Sequence, residues 1–463
     1  MRSKVFLYTL GIIAAFYTIT IGSMGCAQIG APTGGPKDTL PPRLVLATPK
    51  LNSTNFTGNK ISLNFNEYVE VKDPLSNVQI SPFQKNNPVI DYKLRTVTVK
   101  LKDSLLSNTT YVINFGNAIV DNNEGNVLTN FTYVFSTGNY IDSFTLSGKV
   151  IMAETGKTDS TLIALLYRNA PDTAVQKRKP DYIARLNGKG EFTFNNLPPG
   201  NFKVYALKDG DGSKNYNSKV EQFAFTEPVI VSANTLPVTL YAYADLKDTR
   251  KNSLPPRLTA ADKKLRYTTT VSQQTQDLLT PLELNFNKPL KKFEATKIVL
   301  TDTNYKPLAS VLPTLDSTNK IIKLAPKWLA GTKYLLLINP GAATDSADNG
   351  LAKADTIRFT TKKESDYGKL TLHFNDIDLS KHPIIQFVQG EEIKESYPIT
   401  AKEWTKLLFT PGEYEIRILF DSNKNGKWDP GNYEKKIQPE KVISLAQKLS
   451  IRADWDNESE IKF

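Results

Sequence analysis

The sequence predicts an all-β protein built as tandem antiparallel β-sandwiches. Three observations support this prediction: short segments in which apolar and polar residues alternate, connections rich in Asn, Asp and Gly, and a long internal repeat. Alternation with a period of two places one face of a strand in a core and the other in water. The 20 Tyr and 22 Phe, against 3 Met and 4 Trp, also suit half-buried pleated surfaces.

Residues 1–25 have the composition of an export signal. Arg2 and Lys4 precede an apolar stretch over 5–21, and the tract GSMG then leads to Cys26, the single cysteine of the 463 residues. This order predicts a signal peptide, although an apolar run of about twenty residues also suits a transmembrane helix. A lone thiol in an exported chain calls for an explanation, and acylation provides one. We therefore predict a lipoprotein anchored through Cys26.

A stretch rich in Gly and Pro over 26–39 predicts a flexible tether between the anchor and the folded part. Residue 27 is Ala27 and not an aspartate. By analogy with lipoprotein sorting, the signal for retention in the inner membrane is therefore absent. The outer membrane is favoured, and the sequence leaves open whether the protein faces the periplasm or the cell surface.

The charge of the chain argues against nucleic acid as a partner. Loss of Arg2 and Lys4 with the signal lowers the formal charge from +11 to +9, and the remaining Lys and Arg are scattered. A nucleic-acid footprint needs clustered basic residues. A scattered positive charge instead favours a solvated surface with some attraction to an anionic membrane or a glycan.

A long repeat determines the predicted domain plan. The paired landmarks are LPPRL at 40–44 and 254–258, LNFN at 63–66 and 284–287, a Tyr strand ending in Ile-Asn at 110–114 and 333–339, and Phe-Ser/Thr-Thr at 135–137 and 359–361. A second motif, Pro-Gly before a strand that ends in Asp, occurs at 198–209 and 410–421. The offsets of 214 and 212 residues are nearly equal, which indicates that a two-domain unit is duplicated. The predicted domains are 40–138, 139–250, 251–362 and 363–463.

The first and third of these domains resemble the SbsA-type bacterial Ig-like domain. The resemblance rests on Pro-Pro at the entry, Phe-Asn in the second strand, Tyr in a late strand and Phe-Ser-Thr at the exit. The second domain, with LSGKV at 146–150 and GEFTFNNL at 190–197, is similar to the carboxypeptidase-regulatory, prealbumin-like β-sandwich. The fourth keeps mainly the Pro-Gly strand and the loop after it. As a whole the chain resembles Bacteroidota outer-membrane lipoproteins, and the resemblance implies spacer, adhesive or docking modules.

Two loops carry the oxygen atoms that calcium prefers. Asp421, Asn423, Asn425 and Asp429 stand at the first, third, fifth and ninth positions of a loop with Gly at the sixth. Calcium-binding loops use this spacing, because alternate side chains point inward and Gly permits the sharp turn. The loop lacks the Glu usual at the twelfth position, although Glu434 lies nearby in the sequence.

The equivalent loop of the second domain offers Asp209, Asp211 and Ser213, but Lys214 replaces the Gly. Turns between strands also require Asn, Asp and Gly. Each loop is therefore either a calcium site that stabilises the turn or an ordinary polar connection.

The sequence offers little for catalysis. His373 and His382 are the two histidines, no thiol remains after lipidation, and zinc-protease, nucleophile-elbow and phosphate-binding glycine motifs are absent. We predict a non-catalytic lipoprotein that serves as a structural, adhesive or docking module, with partner proteins in the outer membrane. Two alternatives are an accessory subunit of an outer-membrane assembly or export complex, and a carbohydrate-binding accessory lipoprotein that contacts a glycan.

Overall fold

The computed structural model describes residues 9, 11–13, 37–246, 264–308, 311–351 and 353–462. The predictions about Cys26, most of the signal peptide, most of the tether and the second LPPRL motif at 254–258 lie outside the described residues. Within the described ranges, no helix combines the length and apolar character needed to span a bilayer.

The described residues form four groups of strands, which we call sandwiches 1 to 4. Sandwich 1 contains β1 (Leu44–Thr48), β2 (Lys60–Phe65), β3 (Val69–Val71), α1 (Pro74–Asn77), β4 (Gln79–Ser81), β5 (Val89–Lys93), β6 (Thr96–Lys100), β7 (Thr110–Gly116), β8 (Ile119–Asp121) and β9 (Phe131–Ser136). Sandwich 2 contains β10 (Phe144–Met152), β11 (Ile163–Arg168), α2 (Ala174–Lys177), β12 (Tyr182–Arg185), β13 (Glu191–Leu197), β14 (Gly200–Leu207), β15 (Phe223–Phe225), β16 (Val229–Val231) and β17 (Val238–Ala242).

Sandwich 3 contains β18 (Tyr267–Thr269), β19 (Thr275–Gln276), β20 (Leu282–Phe286), β21 (Leu290–Phe293), β22 (Ile298–Thr301), β23 (Thr314–Leu315), β24 (Ile321–Leu324), β25 (Lys333–Ile338), β26 (Ala343–Asp345) and β27 (Asp355–Thr361). Sandwich 4 contains β28 (Gly368–Phe374), β29 (Pro383–Gln389), β30 (Glu392–Pro398), β31 (Glu403–Phe409), β32 (Gly412–Phe420), β33 (Val442–Ile451) and β34 (Asp456–Ile461). Short 3-10 helices cover Ala295–Lys297, Glu364–Asp366 and Leu379–Lys381. The predicted all-β class is confirmed.

Sandwich 1 forms one compact unit, and sandwiches 2, 3 and 4 together form another. In sandwich 1 the sheets run β1-β2-β6-β5 and β4-β7-β9, with β3 paired to β8. Alternate residues of β2 are fully buried, as the period-two pattern predicts. The landmark residues Tyr111 and Phe135 stack in the core with ring centroids 5.3 Å apart.

Sandwich 3 repeats the plan of sandwich 1. Its sheets run β18-β20-β24-β23 and β19-β27-β25-β22, with β21 paired to β26. The landmark residues Tyr334 and Phe359 again meet in the core, with ring centroids 5.8 Å apart. The repeated landmarks are therefore core residues of two copies of one sandwich.

The first strands of sandwiches 1 and 3 are preceded by the same contact between an asparagine and an arginine. In sandwich 1 the Asn66 side chain accepts a hydrogen bond from the Arg43 N–H (2.6 Å), and in sandwich 3 Asn287 accepts one from the Arg266 N–H (2.9 Å). Arg266 thus takes the position of Arg43, and the same contact between an asparagine side chain and the backbone marks the entry of both sandwiches.

Sandwiches 2 and 4 share a second plan. Their smaller sheets run β13-β10-β17 and β31-β28-β34, and their larger sheets run β12-β11-β14-β15 and β30-β29-β32-β33. The pairs β10–β17 and β28–β34 are parallel, whereas the other pair in each of these smaller sheets is antiparallel. Parallel partners cannot be joined by a hairpin, and in both copies the chain passes through the larger sheet before it returns.

The backbone conformation at the start of β14 and β32 explains the glycine of the Pro-Gly motif. Gly200 and Gly412 open β14 and β32 with φ of 147° and 153°. Residues with a Cβ rarely adopt this conformation. Both strands then reach the centre of the larger sheet, where β14 is buried on both faces.

Candidate functional site

The connection from β32 to β33 contains the first candidate calcium loop. The Asp421 side chain is buried, and its carboxylate accepts hydrogen bonds from the N–H groups of Asn425 (3.2 Å) and Gly426 (2.7 Å). Asp429 Oδ2 accepts one from the side-chain amide of Asn423 and one from that of Asn425, each at 2.6 Å. The structure thus brings the four predicted residues together around one turn.

A carboxylate that sequence reasoning missed closes this loop. Glu440 is buried and accepts hydrogen bonds from the N–H groups of Ser422 (2.6 Å) and Asp429 (3.1 Å). Burial raises the pKa of Glu440, and the negative charges of Asp421 and Asp429 add to that rise. Glu434, which lies near this loop in the sequence, forms an exposed ion pair with Lys219 (3.3 Å). Only the fold could reveal Glu440, because it lies beyond the loop spacing.

The equivalent loop of sandwich 2 contains its own cation. The ammonium of Lys214 binds the buried carboxylate of Asp209, which also accepts a hydrogen bond from the Lys214 N–H (3.0 Å). Asp211 accepts hydrogen bonds from the Asn217 side chain (2.8 Å) and the Ser213 N–H (2.9 Å). These bonds, led by that from Asn217, lower the pKa of Asp211. Lys214 therefore supplies the positive charge that a metal ion would bring.

In the part of the chain that the structure describes, no three His, Cys, Asp or Glu side chains are arranged to hold one metal ion. Calcium at 421–429 would have to use the amide oxygens of Asn423 and Asn425 and backbone carbonyls. Of the two histidines, His373 lies on β28 with Nε2 2.7 Å from Glu458 Oε1, and His382 is exposed.

An aromatic junction joins sandwich 4 to sandwich 2. Tyr433, from the β32–β33 connection, is buried against the outer face of the larger sheet of sandwich 2. Its ring centroid lies 5.1 Å from those of Phe223 and Phe225 and 5.9 Å from that of Tyr205. All three ring pairs are T-shaped, a favoured geometry for aromatic contacts. We call this cluster the aromatic junction.

Polar contacts fix the orientation of the junction. The Tyr433 hydroxyl donates to the Asp172 carbonyl (2.7 Å) and lies 3.0 Å from the Tyr205 hydroxyl. Burial raises the pKa of Tyr433, so the hydroxyl stays protonated. The Lys436 ammonium lies 3.8 Å from the centre of the Tyr433 ring and 3.2 Å from the Asp172 carboxylate. A second ion pair, Lys157–Glu415 (2.9 Å), also links the two sandwiches. The docking of sandwich 4 on sandwich 2 is thus determined by these hydrogen bonds and ion pairs as well as by the burial of apolar side chains.

Two segments of the chain match a known family model. Residues 38–137 and 264–361 match the family described as "Bacterial Ig-like domain". These segments correspond to sandwiches 1 and 3, so their fold is Ig-like. The match to the second segment begins at 264, next to Arg266. No curated protein matches the chain.

Several solved structures show similarity at low identity. The Bacillus anthracis TIE protein is 12% identical over 93% of this chain and 76% of its own, with a TM-score of 0.17. BcpA, the major pilin subunit of Bacillus cereus, is 10% identical over 68% and 98%, with a TM-score of 0.16. A DUF3823 family protein from Bacteroides uniformis is 10% identical over 48% and 99%, with a TM-score of 0.13. TM-scores this low give no basis for transferring a function.

Proposed function

We propose that the protein is a non-catalytic lipoprotein that holds β-sandwich docking modules at the outer membrane. The observation that best supports this function is the aromatic junction, in which sandwiches 2 and 4 bury one cluster of rings together. Such shared burial opposes hinge motion between the two sandwiches. A stiff pair of sandwiches is suited to present a binding surface to a partner.

The buried carboxylates of the loops also favour a structural role. Asp121, Asp345 and Asp421 each accept hydrogen bonds from N–H groups of their own turns. A general acid or base must instead be within reach of a substrate proton. These groups stabilise turns.

The anchor is tested by Cys26→Ser in cells of the source organism. We expect the variant to leave the membrane fraction, because no acyl chain is attached, while its melting temperature matches that of the purified native folded part. Ser23→Leu, which brings the tract before Cys26 closer to the usual lipoprotein signal, should stay in the membrane fraction. Retention of Cys26→Ser in the membrane fraction would argue that the apolar run is the anchor.

The docking role is tested by affinity capture from detergent-solubilised outer membrane. We expect the anchored protein to co-purify with a defined partner in fixed proportion. A β-barrel partner would identify an assembly or export complex, whereas binding on a glycan array without a protein partner would indicate the carbohydrate-binding alternative.

A further inference from the structure

A cavity opens beside the aromatic junction. Its volume is about 380 Å³, and its lining comes from both sandwiches that meet there. Sandwich 2 and the residues that follow it provide Gln176, Tyr216, Asn217, Ser218, Lys219 and Asp245, and sandwich 4 provides Tyr433 and Glu434. The volume lies at the lower end of the roughly 300–1,000 Å³ usual for ligand pockets. The cavity exists in this form only while the two sandwiches are docked.

The charges around the cavity are predominantly negative. Asp245 and Glu434 line it, and one cation, Lys219, faces them at 3.3 Å from Glu434. Glu221 lies close behind, where it accepts hydrogen bonds from the N–H groups of Asn217 and Ser218. Lys219 therefore faces two carboxylates, those of Asp245 and Glu434, and can neutralise the charge of only one of them.

Asp245 is the more buried of the two carboxylates that line the cavity. Its Oδ1 atom is buried and has no hydrogen-bond donor within the described residues. Burial raises the pKa of Asp245, with Glu434 adding to the rise and Lys219 opposing it. Buried polar atoms nearly always have partners, and a carboxylate gains most from a donor that is itself charged.

The aromatic walls of the cavity also favour a cationic ligand. Tyr216 and Tyr433 are both buried, with ring centroids 6.3 Å apart and planes at 83°. Aromatic faces attract organic cations, particularly where water is partly excluded. Lys436 already uses one face of Tyr433 in this way.

We propose that this cavity binds the cationic side chain of an arginine or a lysine presented by a partner protein. The alkyl part of that side chain would lie against Tyr216 and Tyr433, and its charged end would lie between the carboxylates of Asp245 and Glu434, which line the cavity. The site does not depend on the lipid anchor, so its failure and the failure of the proposed function can be told apart.

Saturation-transfer NMR on the full chain tests the proposal with small probes. The probes are N-acetyl-arginine N-methylamide and its lysine counterpart, with the citrulline and norleucine counterparts as neutral controls. We expect signal transfer to the side-chain methylenes of the cationic probes. The neutral probes should bind with an affinity about tenfold lower, because hydrogen bonds between charged groups are stronger than those between neutral groups. Equal binding of the neutral probes would overturn the proposal.

Variants locate the binding. Asp245→Asn should bind the cationic probes with about tenfold lower affinity. Lys219→Met should bind them more tightly, because the Lys219 ammonium no longer competes with the probe for the carboxylates of the cavity. Asp348→Asn, at an exposed ion pair in sandwich 3, is the matched control and should bind normally. Glu434→Gln alters an exposed side chain, so it gives a second test if Asp245→Asn changes the fold. Unchanged binding in both Asp245→Asn and Glu434→Gln would refute the site.

Discussion

Lys214 and Gly426 occupy the same position, the sixth, in two equivalent loops, and the difference between them changes the surroundings of the first aspartate. Lys214 brings its ammonium onto Asp209, whereas Gly426 leaves Asp421 with backbone donors. Near Asp421, burial raises the pKa of Glu440, and the negative charges of Asp421 and Asp429 add to that rise. We therefore expect calcium to bind the loop at 421–429 more tightly than the loop at 209–217.

Calcium should stabilise the native protein and not the Asp421→Ala variant. At about 10 mM calcium we expect a gain of roughly 1–2 kcal/mol in the free energy of unfolding, as for a site of modest, extracellular-type affinity. Magnesium should do less, because it gives up water reluctantly. Differential scanning calorimetry measures the shift. Asp209→Asn is the control and should keep the calcium response, and a response that survives Asp421→Ala would show that the loop is an ordinary turn.

The buried carboxylate of Asp121 should make the stability of sandwich 1 depend on pH in the acid range. Burial alone would raise its pKa, but four backbone N–H groups, those of residues 123 to 126, lower it overall. Because the folded pKa lies below the unfolded one, Asp121 contributes stability above its unfolded pKa and loses it as pH falls through the folded pKa.

Asp121→Asn should therefore flatten the acid side of the stability profile. We expect the variant to be less stable than the native protein at neutral pH and to approach it as the pH falls below about 4, near the ordinary Asp value. Thermal melts from pH 2 to 7, with Asp91→Asn on the exposed edge strand β5 as control, measure this. Parallel profiles for Asp121→Asn and the native protein would contradict the assignment.

At the scale of elements, the β32–β33 connection acts as part of a core that belongs to another sandwich. Its apolar contribution to sandwich 2 consists of buried Tyr433 and half-buried Trp428. Tyr433 packs on the ring of Tyr205 and contacts its hydroxyl, on the face of β14 that points away from the core of sandwich 2. The connection is therefore a structural element of the docked pair and more than a link between strands.

Tyr433→Ala should destabilise the docked pair by about 3–5 kcal/mol, the usual cost of removing a buried aromatic side chain. Tyr433→Phe should cost about 1 kcal/mol, because it keeps the ring and loses the hydrogen bonds to Asp172 and Tyr205. Denaturant unfolding measures both changes. Trp455→Ala, at an exposed aromatic residue of sandwich 4, is the control and should be nearly neutral. Equal effects of Tyr433→Ala and Trp455→Ala would mean that the junction contributes no stability.

At the scale of the whole molecule, the duplication produces two halves that are not independent. Sandwiches 3 and 4 each have a separate core, so a fragment that starts near Ser253 should fold, as the repeat predicts. That fragment would, however, expose Tyr433, and the first half would expose the outer face of its larger sheet.

The fragments 37–250 and 253–463 should therefore associate when mixed. We expect a one-to-one complex by analytical ultracentrifugation and a melting temperature of the second fragment that rises on mixing, because binding to the folded state stabilises it. Introducing Tyr433→Ala into the second fragment should abolish the complex. Two fragments that stay separate at high concentration would show that the junction forms only within one chain.

The sequence by itself determined the local structure and the plan of the chain. Period-two alternation identified strands such as β2, the repeated Tyr and Phe landmarks identified matching core positions, and the Pro-Gly motif marked strands that begin with glycine at a special φ. The tertiary structure decided which distant groups meet. It brought Asn287 to the backbone of Arg266, Glu440 to the loop at 421–429, and Tyr433 to the core of another sandwich. The physical reason is that strand periodicity and turn chemistry depend on neighbours along the chain, whereas docking depends on the shapes of faces that form only after folding.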